Sequence, residues 1–306
     1  MSFLALLTFT IAALLAGLVV GALLNRKAFE ARREAALGEL FGSVETLPTY
    51  FRNEDIIELP EPVQRYLERN LQEDAPHHAC MRVLERGSLR QQFGQPWTEF
   101  EGEGYLTASP AALVWFARLR PLPLVWVDEL CVLIGGRARL GAKLLSSVTT
   151  VDASDERARQ RALYRYIAHL PLLPDALLPA DDRGWAGVPL VDQTDEDGDP
   201  LMRDDAARFW LRLGELEVSG VFEFDEHGDV VGFWTEGRPL DEGVEHGARW
   251  VVSYEEHRSF GSGEDLFLPT KLGFGWQTGD DRIAVLDKTI GEWRVDLPRS
   301  WSQDPG

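Results

Sequence analysis

Cysteine is nearly missing from this chain: Cys80 and Cys131 are the only two among 306 residues. Two thiols outside a C-x-x-C pair make neither a structural zinc site nor a disulfide framework. Both lie in apolar, strand-like surroundings, where a free thiol behaves as a small buried hydrophobe. A disulfide between them requires a domain outside the cytoplasm. Lysine is almost as scarce, at positions 27, 143, 271 and 288 only. Cationic surplus is missing too, with a formal net charge of -19 and a pI near 4.7. Such a field repels phosphates and weighs against nucleic acid as a partner. With 44% hydrophobic and 26% charged residues the composition is ordinary for a globular chain.

Catalytic and cofactor motifs are absent as well. The stretch GRARLGAK at 136–143 has glycines like a phosphate-binding loop, but Ala142 takes the lysine position and Leu144 follows Lys143 where a hydroxyl is required. Asp195, Glu196, Asp197 and Asp199 look like a calcium loop, yet counted from Asp195 Gly198 is fourth where the turn glycine should be sixth, and Ala206 holds the twelfth position where a glutamate is required. Ser262 sits in G-S-G rather than G-x-S-x-G. The six histidines have no metal-binding spacing. No cofactor and no metal are implied, and the chain reads as a non-enzyme more than as an enzyme.

One long apolar run is present. Residues 3–24 carry no charge, and as a helix they span about 33 Å against roughly 30 Å of hydrocarbon. No Lys or Arg precedes Asn25 and no cysteine follows the run, which argues for an uncleaved anchor over a signal peptide. The expectation is a single-pass protein of the bacterial inner membrane. Arg26, Lys27, Arg32 and Arg33 on the C-terminal flank favour a cytoplasmic domain. Ala13, Gly17 and Gly21 share one helix face and suit a homodimer.

Beyond the run, helical spacing continues to Phe41 and a linker follows at 45–60. Pro60 and Pro62 open a short helix whose buried stripe is Val63, Tyr66, Leu67 and Leu71. From Cys80 the period becomes two. Segments 81–92 and 97–108 form a hairpin, with Arg90 expected opposite Glu99 and Arg86 opposite Glu103. Glu99, Glu101 and Glu103 then form one solvated stripe. Strands are expected at 111–118, 124–134 and 137–145, a helix from Ser154 to His169, and an acidic loop at 181–205. Alternating strands follow up to Val295. The fold class expected is α+β: a transmembrane helix, then a curved, mostly antiparallel half-barrel sheet on a few helices. The expected division is 1–25 anchor, 26–58 juxtamembrane helix and linker, 59–298 sheet domain and 299–306 tail.

Three groups of residues are candidates for a site. Arg157, Arg161 and Arg165 repeat every four residues and make one basic helix face, a solvated surface or a clamp for an anionic head group. His169 at the helix end is a capping residue or a functional imidazole. Trp115, Trp126, Trp210, Trp234, Trp250 and Trp276 each lie in a strand, as core or as the lining of an apolar pocket.

The stretches LPEPVQRYL at 59–67, ALYRYIAHLPLLPDALLP at 162–179 and VFEFDEHGDVVGF at 221–233 resemble an uncharacterised bacterial membrane-anchored family, a domain of unknown function with an LP-x-PVxRYL motif. That family is similar in layout to lipoprotein-carrier-like folds, which implies a curved sheet around an apolar cavity. The first functional expectation is therefore a membrane-anchored, non-enzymatic module that binds a lipid or other apolar ligand. The alternative is a protein-interaction or assembly module of the cell membrane. A hydrolase using His169 with a nearby carboxylate ranks third.

Overall fold

Alternating residues run twice along the chain, over 80–153 and 183–295, and each run folds as an up-and-down meander. The structure is a computed structural model that describes residues 3–44, 50–90, 94–194, 200–260 and 266–296. The first meander comprises β1 (Cys80–Leu89), β2 (Thr98–Thr107), β3 (Ala112–Leu122), β4 (Val125–Ile134), β5 (Arg137–Leu144) and β6 (Val148–Ala153). The second comprises β7 (Arg183–Thr194), β8 (Pro200–Leu213), β9 (Leu216–Phe224), β10 (Val230–Thr235), β11 (Arg249–Phe260), β12 (Leu266–Thr278) and β13 (Asp281–Val295). All 13 strands join one open antiparallel sheet, in the order β6-β5-β4-β3-β2-β1-β13-β12-β11-β10-β9-β8-β7. The meanders meet where β1 pairs with β13, from Met81 opposite Val295 to Leu89 opposite Leu286. The free edges are β6 and β7.

That order dictates the path between them. A chain leaving one edge and entering the other must cross a face of the sheet. The crossing is α3 (Glu156–His169) and two 3-10 turns, Leu170–Leu172 and Pro174–Leu177. Asp155 caps the helix by accepting the Ala158 N–H at 2.8 Å. Helix α3 touches β3, β4 and β5 on one side and β9 on another. In the strand order β5 is second and β9 eleventh. Nine steps of roughly 4.8 Å make about 43 Å in a flat sheet, whereas a helix is about 10 Å across. Only a sheet curled around the helix reaches it from both places.

The crossing segment has carbonyls that no helix satisfies, and long side chains on neighbouring elements donate to them. Tyr254 Oη donates to Ala168 O (2.9 Å), Trp293 Nε1 to Leu172 O (2.8 Å) and Trp185 Nε1 to Leu177 O (2.8 Å). Tyr66, on α2 (Glu61–Asn70), donates to Pro171 O at 3.1 Å. Burial raises the phenols of Tyr66 and Tyr254 above their ordinary value, so they stay protonated donors. In α2 the predicted stripe of Val63, Tyr66 and Leu67 is buried, and it packs on β8 and β12.

The apolar N-terminal run does not stand apart as an anchor. It is the first part of one helix, α1 (Phe3–Ser43), which continues unbroken through Arg26, Lys27, Arg32 and Arg33. The later part docks on the outer face of the sheet, where Leu37 and Leu40 pack with Tyr105, Val114 and Ile134. Side chains at 3–7, 11–16, 18, 19, 22 and 23 lie outside the described residues, Ala13 among them. Among the described residues no helix is long and apolar enough to cross a membrane. The expected transmembrane helix, single-pass topology and inner-membrane location are corrected accordingly, and so is membrane contact through residues 3–24. The α+β expectation becomes an open 13-stranded antiparallel sheet with few helices.

Two local expectations also change. The first hairpin slips by two residues, placing Arg86 opposite Glu101 and Leu84 opposite Glu103. A slip of two keeps every side chain on its face, so Glu99, Glu101 and Glu103 remain one outer stripe. Arg90 instead lies 4.6 Å over the Trp97 ring. The acidic stretch at 181–205 is largely strand, β7 and the start of β8. Charge there belongs to a sheet edge, which needs polar side chains to block further pairing; residues 195–199 lie outside the described residues.

Candidate functional site

The inner face closes over one part of the sheet and stays open over another. On β7 to β10 the inward positions hold Trp185, Phe209, Phe222 and Phe233, with ring centroids 4.9 Å apart for Trp185–Phe209 and 4.7 Å for Phe222–Phe233. The series continues through Trp250 to Phe274. Beyond Phe274 the packing stops. A cavity of about 260 Å³ lies between α3 and strands β1, β3, β5 and β13, walled by Trp115, Leu140, Ala142, Trp250, Phe274 and Leu286. It shares Arg90, Val151, Arg161, Asp241 and Val285 with a wider cleft of about 660 Å³.

At the floor of the cavity lies a buried charged group. Glu85 and Lys288 occupy inward positions of the paired strands β1 and β13, and both are almost fully buried. Gly87 stands opposite Lys288, and a Cβ there would meet Asp287 O and Lys288 Cα. The Lys288 ammonium pairs with one Glu85 oxygen, and the Trp115 indole donates to the other. Lys288 Nζ also lies 2.6 Å from His169 Nε2, while His169 Nδ1 is 2.6 Å from Arg165 O. Burial, and then the adjacent Lys288, hold the imidazole well below its ordinary pKa. It is therefore neutral: Nδ1–H donates to the helix carbonyl and Nε2 accepts from the ammonium. Burial also lowers Lys288, against the opposing pull of Glu85.

Above this floor the lining carries more cations than anions, with Arg90, Arg161, Arg165 and Arg238 against Asp241 and Glu129. Arg161 and Arg238 share one carboxylate, Asp241, at 2.9 and 3.1 Å. Burial would raise the Asp241 carboxyl, but the two guanidinium groups bring it below its ordinary value. Arg165 lies over Trp115, with its guanidinium carbon 4.1 Å from the ring centroid. Among the described residues its guanidinium has no hydrogen bond and no ion pair.

The structure splits the predicted tryptophans evenly. Trp115, Trp250 and Trp276 are buried on the inner face, and Trp276 Nε1 donates to Asp241 at 2.8 Å. Trp126, Trp210 and Trp234 are only half-buried, on the outer face, beside Arg118, Arg212 and Arg249. The three predicted arginines also diverge: Arg157 and Arg161 donate to Leu240 O, and only Arg165 reaches the inner cavity unpaired. His169 lies at the cavity floor. Sequence reasoning missed Glu85, Lys288, Arg238 and Asp241. The readable signal was a charge at an inward strand position, Glu85 after Met81 and Val83, and Lys288 between Leu286 and Ile290. Cys80 and Cys131 are both buried. Among the described residues no three His, Cys, Asp or Glu side chains converge as a metal site.

A curled antiparallel sheet with one helix laid across its inner face and a cavity beside that helix is an architecture compatible with a ligand-binding module. The chain belongs to DUF6544, a family of unknown function whose model matches residues 49–287. No curated protein matches it. Among solved structures, a DUF1329 family protein from Desulfovibrio piger is similar over 74% of this chain and 90% of its own, at 10% identity and a TM-score of 0.33. A porin-like protein from Bacteroides uniformis is similar over 72% of this chain and 96% of its own, at 6% identity and a TM-score of 0.24.

Proposed function

We propose that this chain is a non-enzymatic module that takes an apolar small molecule, or the acyl chain of a lipid, into the cavity beside α3. The unit that holds the ligand is residues 59–298. The observation that carries the reading is the cavity of about 260 Å³ walled by Trp115, Trp250 and Phe274, on a face packed ring against ring a few strands away. Aromatic and aliphatic walls in a concave site suit the apolar part of a ligand, and placed polar groups beside them fix its orientation. The hydrolase reading lacks the pair it requires. Both nitrogens of His169 are engaged, neither by a carboxylate, and Glu85 reaches it only through Lys288. The test is to purify the full chain, extract it with organic solvent and examine the extract by mass spectrometry. A stoichiometric apolar molecule supports the reading and names its class. An empty extract, from folded protein whose tryptophan fluorescence ignores added alkyl ligands, overturns it.

A second reading, self-association, is favoured by one observation. Asn25 Nδ2 donates to Ser147 Oγ at 3.1 Å, placing the C-terminal end of the apolar run of α1 beside the β5–β6 turn. Leu122, Leu124 and Val148 are exposed at that end of the sheet, at 64%, 93% and 59%, and the backbones of Gly17 and Gly21 have open space around them. Sedimentation of the full chain beside Leu124→Lys decides it; a monomer in both removes this reading.

A further inference from the structure

The ligand's head group is also written in the cavity, on the reading that the cavity binds an apolar chain at all. This protein carries a net charge of -19, yet the charges around this one hollow lean the other way. Asp241 alone neutralises Arg161 and Arg238. Lys288 is engaged by Glu85 and His169. Arg165 is left on the α3 side with its hydrogen-bonding edge unmatched among the described residues. Arg90, at the end of β1, lines both parts of the cleft, and among the described residues it has no ion pair and a buried Nε without a partner. Arg161 likewise has a buried Nε without a partner. A half-buried guanidinium that stacks on an indole keeps its in-plane N–H groups available, and those groups match a planar or tetrahedral oxyanion. The opposite wall, Leu140, Ala142 and Leu286, is apolar.

We propose that the cavity selects an anionic amphipath, an alkyl or acyl chain ending in a carboxylate or phosphate, with the oxyanion held by Arg165 and Arg90 and the chain lying along β5 and β13. Neutral His169 and the occupied Lys288 form the floor and do not compete for the head group. The shared chemistry is the oxyanion; free phosphate and a lipid head group differ in the apolar tail, which the cavity wall selects.

The experiment titrates the full chain with decanoate, decyl phosphate, decanol and inorganic phosphate, following tryptophan fluorescence and calorimetry. At least one of the two amphiphilic anions is expected to bind about tenfold or more tighter than decanol, as one charge-assisted contact provides. Inorganic phosphate is expected to bind far more weakly than decyl phosphate. In Arg165→Gln the preference for the anion is expected to collapse to within about twofold, with Arg165→Lys retaining part of it. Arg90→Gln gives a second reading from another element if Arg165→Gln fails to fold. Equal binding of decanol and both anions overturns this inference and leaves the apolar-ligand reading standing. Binding of none of the alkyl ligands overturns that reading, and this inference with it. Inorganic phosphate binding as tightly as decyl phosphate overturns the amphipath in favour of a bare oxyanion.

Discussion

The inner face of the sheet is finished in two ways. Over β7 to β10 aromatic side chains fill it, covered by α3 where that helix touches β9 and by the buried turn Pro174–Leu177, whose Leu177 O accepts from Trp185 of β7. Over β1, β3, β5 and β13 the covering element is α3, which presents Arg161 and Arg165. Both regions have aromatic residues on the sheet side, so the aromatics do not decide which region is hollow. What stands opposite them decides. Apolar turns can be pressed onto rings until no space remains, whereas guanidinium groups cannot be dehydrated without partners. A row of arginines facing inward therefore holds a wall open.

The sharpest test of that comparison is truncation on each side. Phe222→Ala in the filled region is expected to cost about 3–5 kcal/mol in urea unfolding. Leu140→Ala on the cavity wall is expected to cost less than half as much, because its neighbours already border empty space. Equal losses would break the distinction.

The buried ion pair under the cavity comes next. Glu85→Gln strands the Lys288 ammonium and is expected to cost about 3 kcal/mol. The double variant Glu85→Gln/Lys288→Met recovers most of that loss, measured by the same unfolding curves. A single-variant cost below about 1 kcal/mol would show that water reaches the pair.

A smaller effect is expected from pH. His169 is held neutral in the folded chain, while in the unfolded chain it takes up a proton below about 6.5. The unfolded state then binds more protons, so stability falls as pH drops below about 6.5, by up to about 1.4 kcal/mol per pH unit for this one group. His257, lowered chiefly by burial, acts in the same direction. His169→Gln is expected to flatten part of the slope between pH 7 and 5.5. An unchanged slope would place the imidazole in water.

The smallest effect is expected on the outer face. Arg120 and Glu101 pair at 3.0 Å with side chains 63% and 65% exposed, so Glu101→Gln is expected to shift stability by no more than about 0.5 kcal/mol. A larger loss would mean that the outer stripe is a buried surface in the folded assembly.

Much of the strand pattern was legible. Phe209 and Leu211, then Phe222 and Phe224, then Leu272 and Phe274 alternate in the sequence and are buried in the structure, because a pleated strand alternates faces and a covered face must be apolar. The hairpin of β1 and β2 was legible in its faces but not in its register, because a slip of two residues exchanges partners and leaves the faces alike. The edge strands β7 and β8 were hidden by their charge. The apolar run at the N-terminus was misread because hydropathy along a chain does not show that the same helix goes on to dock against a sheet. Of the site, Arg165 and Trp115 were named as separate candidates, but nothing in their spacing predicted that one lies on the other. Glu85 and Lys288 stand 203 positions apart and pair only because β1 and β13 are neighbours.

By itself the sequence determined the local matters: which residues alternate, where α3 begins and ends, that Arg157, Arg161 and Arg165 share a helix face, and that the chain is acidic. Those follow from the periods of helix and strand and from counting charge. The tertiary structure alone decided that β6 and β7 are opposite edges, that α3 must therefore cross the inner face, and that its Arg165 lies over Trp115 there. The physical reason is that strand order and curl are long-range properties, set by which apolar faces bury each other.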